Sequence, residues 1–138
     1  MRRWRGFAGM LLGMATGMCL SCGKMPMNGL LDGRWQLMQV ERHADGGVEH
    51  PAWTYYDVSL GLMELKRGSE EGAVPLMGMH ARFQRTADSL HVRMIGARAK
   101  DMLPFGMNDT IQHFGIEQLD DTSMKLNSAY ARLTFRKF

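Results

Sequence analysis

Residues 33–42 read Gly-Arg-Trp-Gln-Leu-Met-Gln-Val-Glu-Arg, and the phase of this stretch decides the fold. Trp35 and Leu37 stand two apart, the spacing that puts side chains on one face of a strand. Met38 and Val40 repeat that spacing one residue out of phase. One extra residue near Leu37, a β-bulge, returns both halves to a common face. A first strand that bends to serve both sides of a barrel often needs such a bulge. Arg34 to Arg42 is therefore expected to form a bent strand.

The rest of the chain punctuates itself in the same way. Gly29 to Gly33 is a short lead-in, and Asp45-Gly46-Gly47 marks a turn within His43 to Pro51. Trp53 to Lys66 is β-prone but longer than an ordinary strand, so it is expected to bend or split near Gly61. Arg67 to Pro75 reads as a loop. Leu76 to Thr86 and Leu90 to Ala97 flank Ala87-Asp88-Ser89 as a hairpin. Arg98 to Asn108, with Pro104 and Gly106, is irregular, with room for one helical turn. Thr110 to Leu119 and Met124 to Asn127 form a second hairpin, and Tyr130 to Phe138 closes the chain. Pro26, Pro51, Pro75 and Pro104 all fall between the expected strands, where a missing N–H breaks no ladder. Seven or eight short strands with close turns predict an all-β sandwich or barrel. Alternation places Leu133 and Phe135 inside and Arg132, Thr134 and Arg136 outside. It also sets Leu90, Val92 and Met94 opposite His91 and Arg93, and Phe114 and Ile116 opposite His113 and Glu117.

Charge removes one class of function. Of 17 Lys and Arg, three (Arg2, Arg3 and Arg5) lie in the first five residues, and the first 21 residues hold no acid; without them 14 bases face 14 acids. A nucleic-acid footprint needs a basic excess on the folded domain, so no nucleic-acid partner is expected. The basic start precedes an apolar stretch from Phe7 to Leu20, too short to span a bilayer and fitting a signal-peptide core. That stretch ends in Leu20-Ser21-Cys22-Gly23, which resembles the bacterial lipobox. The resemblance implies cleavage after Ser21, a diacylglyceryl thioether on Cys22 and an acylated new N-terminus. Met18 is too bulky to let Cys19 take that role. The expected organisation is a signal peptide over 1–21, a lipidated tether over 22–28 and one barrel domain over 29–138. Two or more acyl chains hold a protein stably on a bilayer. Once processed, the chain keeps one cysteine, so no intramolecular disulfide and no Cys-built metal site is expected. Lys24, and the lack of an Asp directly after Cys22, resemble the sorting pattern for the outer membrane, with its periplasmic face preferred.

Gly33-Arg34-Trp35 matches the lipocalin Gly-x-Trp signature. The stretch Pro26 to Met38 and the closing segment Phe114 to Leu119, Met124 to Leu126 and Leu133 to Phe138 are similar to small lipocalin-like domains of bacterial lipoproteins. That resemblance implies an eight-stranded antiparallel up-and-down barrel over the whole domain; the chain departs from the family in being short for a ligand-carrying lipocalin and in showing no clear C-terminal helix. The resemblance implies that Gly33 turns tightly into the barrel floor and that Trp35 closes that end. A basic residue from the last strand then lies over the indole. Arg132, Arg136 and Lys137 are candidates, and Arg136 is the one expected.

Little points to catalysis or to a cofactor. The five histidines, His43, His50, His80, His91 and His113, form no His-Glu-x-x-His run and read as scattered surface residues. Glu70-Glu71 and Asp120-Asp121 read as solvated turns, and the second lacks the alternating spacing of a Ca²⁺ loop. No Gly-x-Ser-x-Gly elbow, phosphate loop or dinucleotide fingerprint occurs, so neither an enzyme nor a metal site is expected. Methionine is abundant: ten of 14 follow the leader. Met adapts to irregular apolar surfaces, and Met63, Met77, Met79, Met94, Met102, Met107 and Phe114 are candidates to line a ligand cavity. Two functions fit this pattern. In the first, a barrel binds a small apolar ligand by burial with few polar contacts. In the second, a filled barrel docks or inhibits another envelope protein through loops such as Arg98 to Asn108, with Met102, Leu103 and Phe105.

Overall fold

The structure is a computed structural model that describes residues 27–68 and 77–138, Met77 by its backbone alone. The expected lipid site at Cys22, its tether as far as Pro26 and the Glu70-Glu71 turn lie outside the described residues. Nine strands follow a one-turn 3₁₀ segment at Gly29–Leu31. They are β1 (Gly33–Arg42), β2 (Val48–Glu49), β3 (Thr54–Ser59), β4 (Leu62–Arg67), β5 (Met77–Arg85), β6 (Ser89–Ile95), β7 (Ile111–Leu119), β8 (Ser123–Asn127) and β9 (Ala131–Lys137). A 3₁₀ segment, Ala99–Phe105, lies between β6 and β7.

Each strand pairs antiparallel with its neighbour, and β1 also pairs with β9, which closes the sheet into a barrel. β2 and β3 share one edge of β1: Val40 and Glu41 face Glu49 and Val48, while Gly33 to Gln36 face Val58 to Tyr55. They act as one stave broken at His50 to Trp53, where Pro51 has no N–H to give a ladder and Trp53 takes a positive φ. The barrel therefore has eight staves in up-and-down order.

The bulge falls where the phase of residues 33–42 demands it. Leu37 pairs with Phe135 and Gln39 with Thr134, so Met38 is the extra residue. Trp35 and Leu37 before it and Val40 after it are all buried. The long run from Trp53 splits at Leu60-Gly61, as expected, and the hairpin turns fall at Thr86 to Asp88 and Asp120 to Thr122. Inward residues of all eight staves join one apolar cluster, from Leu31 and Trp35 at one end to Met102, Phe105 and Met107 at the other.

Ion pairs stitch the outer wall. Asp57 on β3 takes Arg34 Nε and Lys66 Nζ, each at 2.8 Å. Partial burial opposes ionisation of Asp57, but these two cations outweigh it and hold its carboxyl below the usual range. A carboxylate depressed in the folded state contributes stability that is complete above the unfolded pKa of about 4, and it is lost as pH falls through the folded value. Equilibrium denaturation as a function of pH should therefore show stability falling below about pH 4. In Asp57→Asn the fall should be shallower; an identical slope would remove Asp57 from the acid response.

Candidate functional site

One end of the barrel is closed by three residues from the two ends of the domain. The indole of Trp35 is buried and its Nε1–H donates to Leu31 O at 2.8 Å. Lys137 pairs directly with Trp35 across β9 and β1 and sets its Nζ 4.4 Å from the ring centroid, a cation–π contact. The same amine donates to Asp32 O. Burial pushes the Lys137 pKa below the usual lysine range. Gly33 makes room for this arrangement. Its φ is strongly positive, which disfavours any side chain, and a Cβ there would collide with the Lys137 amine. The Gly-x-Trp pair thus leaves a slot that one lysine fills.

Arg136, the residue expected over Trp35, does not do this. It is exposed and donates from Nε to Gln36 Oε1 at 2.8 Å on the outer wall. The reason is the strand period. Leu133 and Phe135 point inward, so the next inward position is Lys137, not Arg136.

The interior is occupied by the protein itself. Met63, Met94 and Phe114, expected to line a cavity, are buried in the core cluster, and Met79 packs against it from a partly buried position. Met77 stands opposite Arg67 on β5, and its side chain lies outside the described residues. The opposite end, where the β6–β7 connection crosses, is plugged. Met102 and Phe105 of the 3₁₀ segment, and Met107 after it, have no solvent exposure, while Leu103 stays half exposed. Gly106 lets this segment turn back into the mouth. It adopts the left-handed conformation, and a Cβ there would run into the side chains of Leu133 and Val40. Tyr56, fully buried on β3, donates its hydroxyl to Phe105 O and so ties the plug to the wall. Desolvation raises its pKa far above the usual phenol value, so it stays a donor. The expectation that Met102 and Phe105 form exposed docking tips is overturned: their three-residue spacing matches the 3₁₀ period and turns both inward.

The histidines are not all scattered. His91 and His113 face each other across β6 and β7, with their Nδ1 atoms in contact and ring centroids 4.4 Å apart. Their outward phase was legible in each strand. Their meeting depends on a register set by the connection from Gly96 to Thr110, which neither strand specifies. His43 instead bonds Asn127 Oδ1 through Nε2 at 2.7 Å, and His80 lies 4.0 Å from Glu64. Among the described residues no three of His, Cys, Asp and Glu converge as metal ligands. Asp120 accepts hydrogen bonds from the Gln118 amide and from the Thr122 and Ser123 N–H groups. These hold its carboxyl well below the usual range, which gives the acidic turn a structural task. Among the described residues, depressions beside Arg82 and Arg93, beside Asp32 and Phe138, and beside His50 and Leu103 open on the outer surface, and Met63, Met94 and Phe114 line none of these.

Trp35→Ala should cost about 3–5 kcal/mol in chemical denaturation, and wild-type stability would contradict its closing role. Gly33→Ala should also destabilise, and Lys137→Ala in the same chain should recover part of the loss; no recovery would mean that the amine is not what the glycine accommodates. Tyr56→Phe should cost about 1–3 kcal/mol by leaving the Phe105 carbonyl without its donor. It should also speed hydrogen exchange in Ala99–Phe105; unchanged exchange would show that the plug is held by other contacts.

Comparisons with known proteins agree with the barrel. Two solved structures superpose on it. One is a lipocalin-like protein from Bacteroides uniformis, with a TM-score of 0.65 at 23% identity over 80% of this chain and 100% of that one. The other is an uncharacterized protein from Bacteroides eggerthii, with a TM-score of 0.65 at 20% identity over 78% of this chain and 98% of that one. No curated protein matches the sequence. Residues 16–138 match the family described as a lipocalin-like domain, and the chain belongs to that family.

Proposed function

We propose that this chain is a lipid-anchored envelope lipoprotein whose barrel is a filled scaffold for contacts made by its outer surface and the loops of its plugged end. The packed interior carries this reading: Met63, Met94 and Phe114 fill the space that a ligand would need, and Met102, Phe105 and Met107 seal the mouth. The anchor rests on the Leu20-Ser21-Cys22 sequence. Asn28 lies at the Trp35 end, bonded to Leu60 O at 2.6 Å, so a short tether over 23–28 would bring that closed end near the bilayer. The docking partner is another envelope protein, and the outer membrane, periplasmic side, is the proposed location.

The lipocalin-like fold favours a second reading, in which the barrel binds a small apolar ligand. A ligand of that kind takes the place of the Ala99–Phe105 plug and keeps the apolar contacts of the wall.

Native mass spectrometry of the full chain, released gently from membranes, separates the two. The first reading expects a bare protein mass plus its acyl chains. A further small-molecule adduct, lost on denaturation, would overturn it in favour of carriage. Cys22→Ala should move the protein from the membrane fraction to the soluble one, and continued membrane association would refute the anchor.

A further inference from the structure

Several strand cations on the outer wall have carboxylate partners. Arg34 pairs with Asp57, Lys66 with Asp57 and Glu64, and Arg132 with Glu117 and Glu41. The wall of β5, β6 and β7 differs. Arg82 and Arg93 stand directly opposite each other across β5 and β6, and neither meets a carboxylate among the described residues. Two residues along the same face, Gln84 faces His91, and His91 faces His113. Like charges directly opposite on neighbouring strands destabilise a sheet. Here two guanidinium groups are followed by two imidazoles along one face, with no acid between them on these strands. An open depression of about 520 Å³ is lined by Arg82, Arg93, Gln84 and His91 and reaches Ile111.

We propose that this wall binds a phosphate- or sulfate-type oxyanion carried on a larger molecule. Guanidinium forks match the geometry of such oxyanions and bond them in charge-assisted pairs. The Gln84 amide and the His91 imidazole add donors, and the residues lining the depression include no carboxylate to repel the ligand. A bound oxyanion relieves the repulsion between Arg82 and Arg93, which gives the arrangement a reason to exist. The depression exceeds what an inorganic phosphate fills and is of the size that holds small organic ligands. Leu62 pairs beside Arg82 and Ile111 beside Arg93, and both are about half exposed, so aliphatic surface flanks the cations. That combination suits an ester: charge on the arginines and an organic group on the flanks. The site lies outside the barrel, so it does not depend on whether the interior ever opens.

The test is titration of the full-length protein in a neutral detergent, followed by backbone amide shifts in β5, β6 and β7. The probes are inorganic phosphate, phenyl phosphate and short-chain phosphatidylglycerol. Saturable shifts, tighter for an ester than for inorganic phosphate, are expected. Preference for phenyl phosphate would identify a soluble ester, and preference for phosphatidylglycerol a lipid headgroup. Arg82→Gln with Arg93→Gln should weaken binding by about tenfold or more while leaving the melting temperature unchanged or raised. Failure of every probe to saturate would overturn the proposal, as would equal affinity in the double variant. A site that takes Zn²⁺ through His91 and His113 but no oxyanion would overturn it too.

Discussion

The structure depends on the pairing of its first strand with its last. β1 and β9 run together from Trp35 to Arg42, and that contact turns an eight-stave meander into a closed barrel. Closure demands that β1 bend, and Met38 supplies the bend as an unpaired residue. It also demands that the two strands keep one inward face through the bend. Trp35, Leu37 and Val40 meet this on β1, and Leu133, Phe135 and Lys137 meet it on β9. The last inward pair, Trp35 with Lys137, lies where the barrel needs a floor. A charged side chain can end an apolar stave there because its amine has both an aromatic face and a backbone carbonyl to engage.

Much of this was legible in the sequence. Residues 33–42 announce the bulge through their broken phase, and the turn residues at Asp45-Gly46, Ala87-Asp88 and Asp120-Asp121 fall between the strands they were read to separate. The floor was legible as well, except for its cation. Guanidinium is the commoner cation over an aromatic ring, which favours Arg136, but position outranks chemistry here. The alternation that puts Leu133 and Phe135 inside puts Arg136 outside, whatever its affinity for an indole.

Other features were hidden for physical reasons. His91 and His113 each show their outward phase locally, yet their contact depends on a register fixed by the irregular connection between β6 and β7. The plug was hidden in a different way. Met102, Leu103 and Phe105 read as a hydrophobic loop tip, and hydrophobicity alone does not say which side of the mouth such a segment faces. Its turn inward depends on Gly106 passing against Val40 and Leu133, contacts far away in sequence. Short-range pattern shows what a segment can bury, and only the closed barrel offers the place to bury it.

The plug also sets the terms on which anything else could occupy the barrel. Met102, Phe105 and Met107 are in effect a ligand already bound, held on the same chain at high effective concentration. Burying side chains of this kind is worth about 1.5–3 kcal/mol each. A guest that displaced all three would forfeit several kcal/mol before gaining any contact, and each 1.4 kcal/mol weakens its apparent affinity about tenfold. Selectivity would then come less from the shape of the pocket than from competition with the resident segment. Only a molecule that matched its apolar volume and also satisfied the Tyr56 hydroxyl could exchange with it on equal terms.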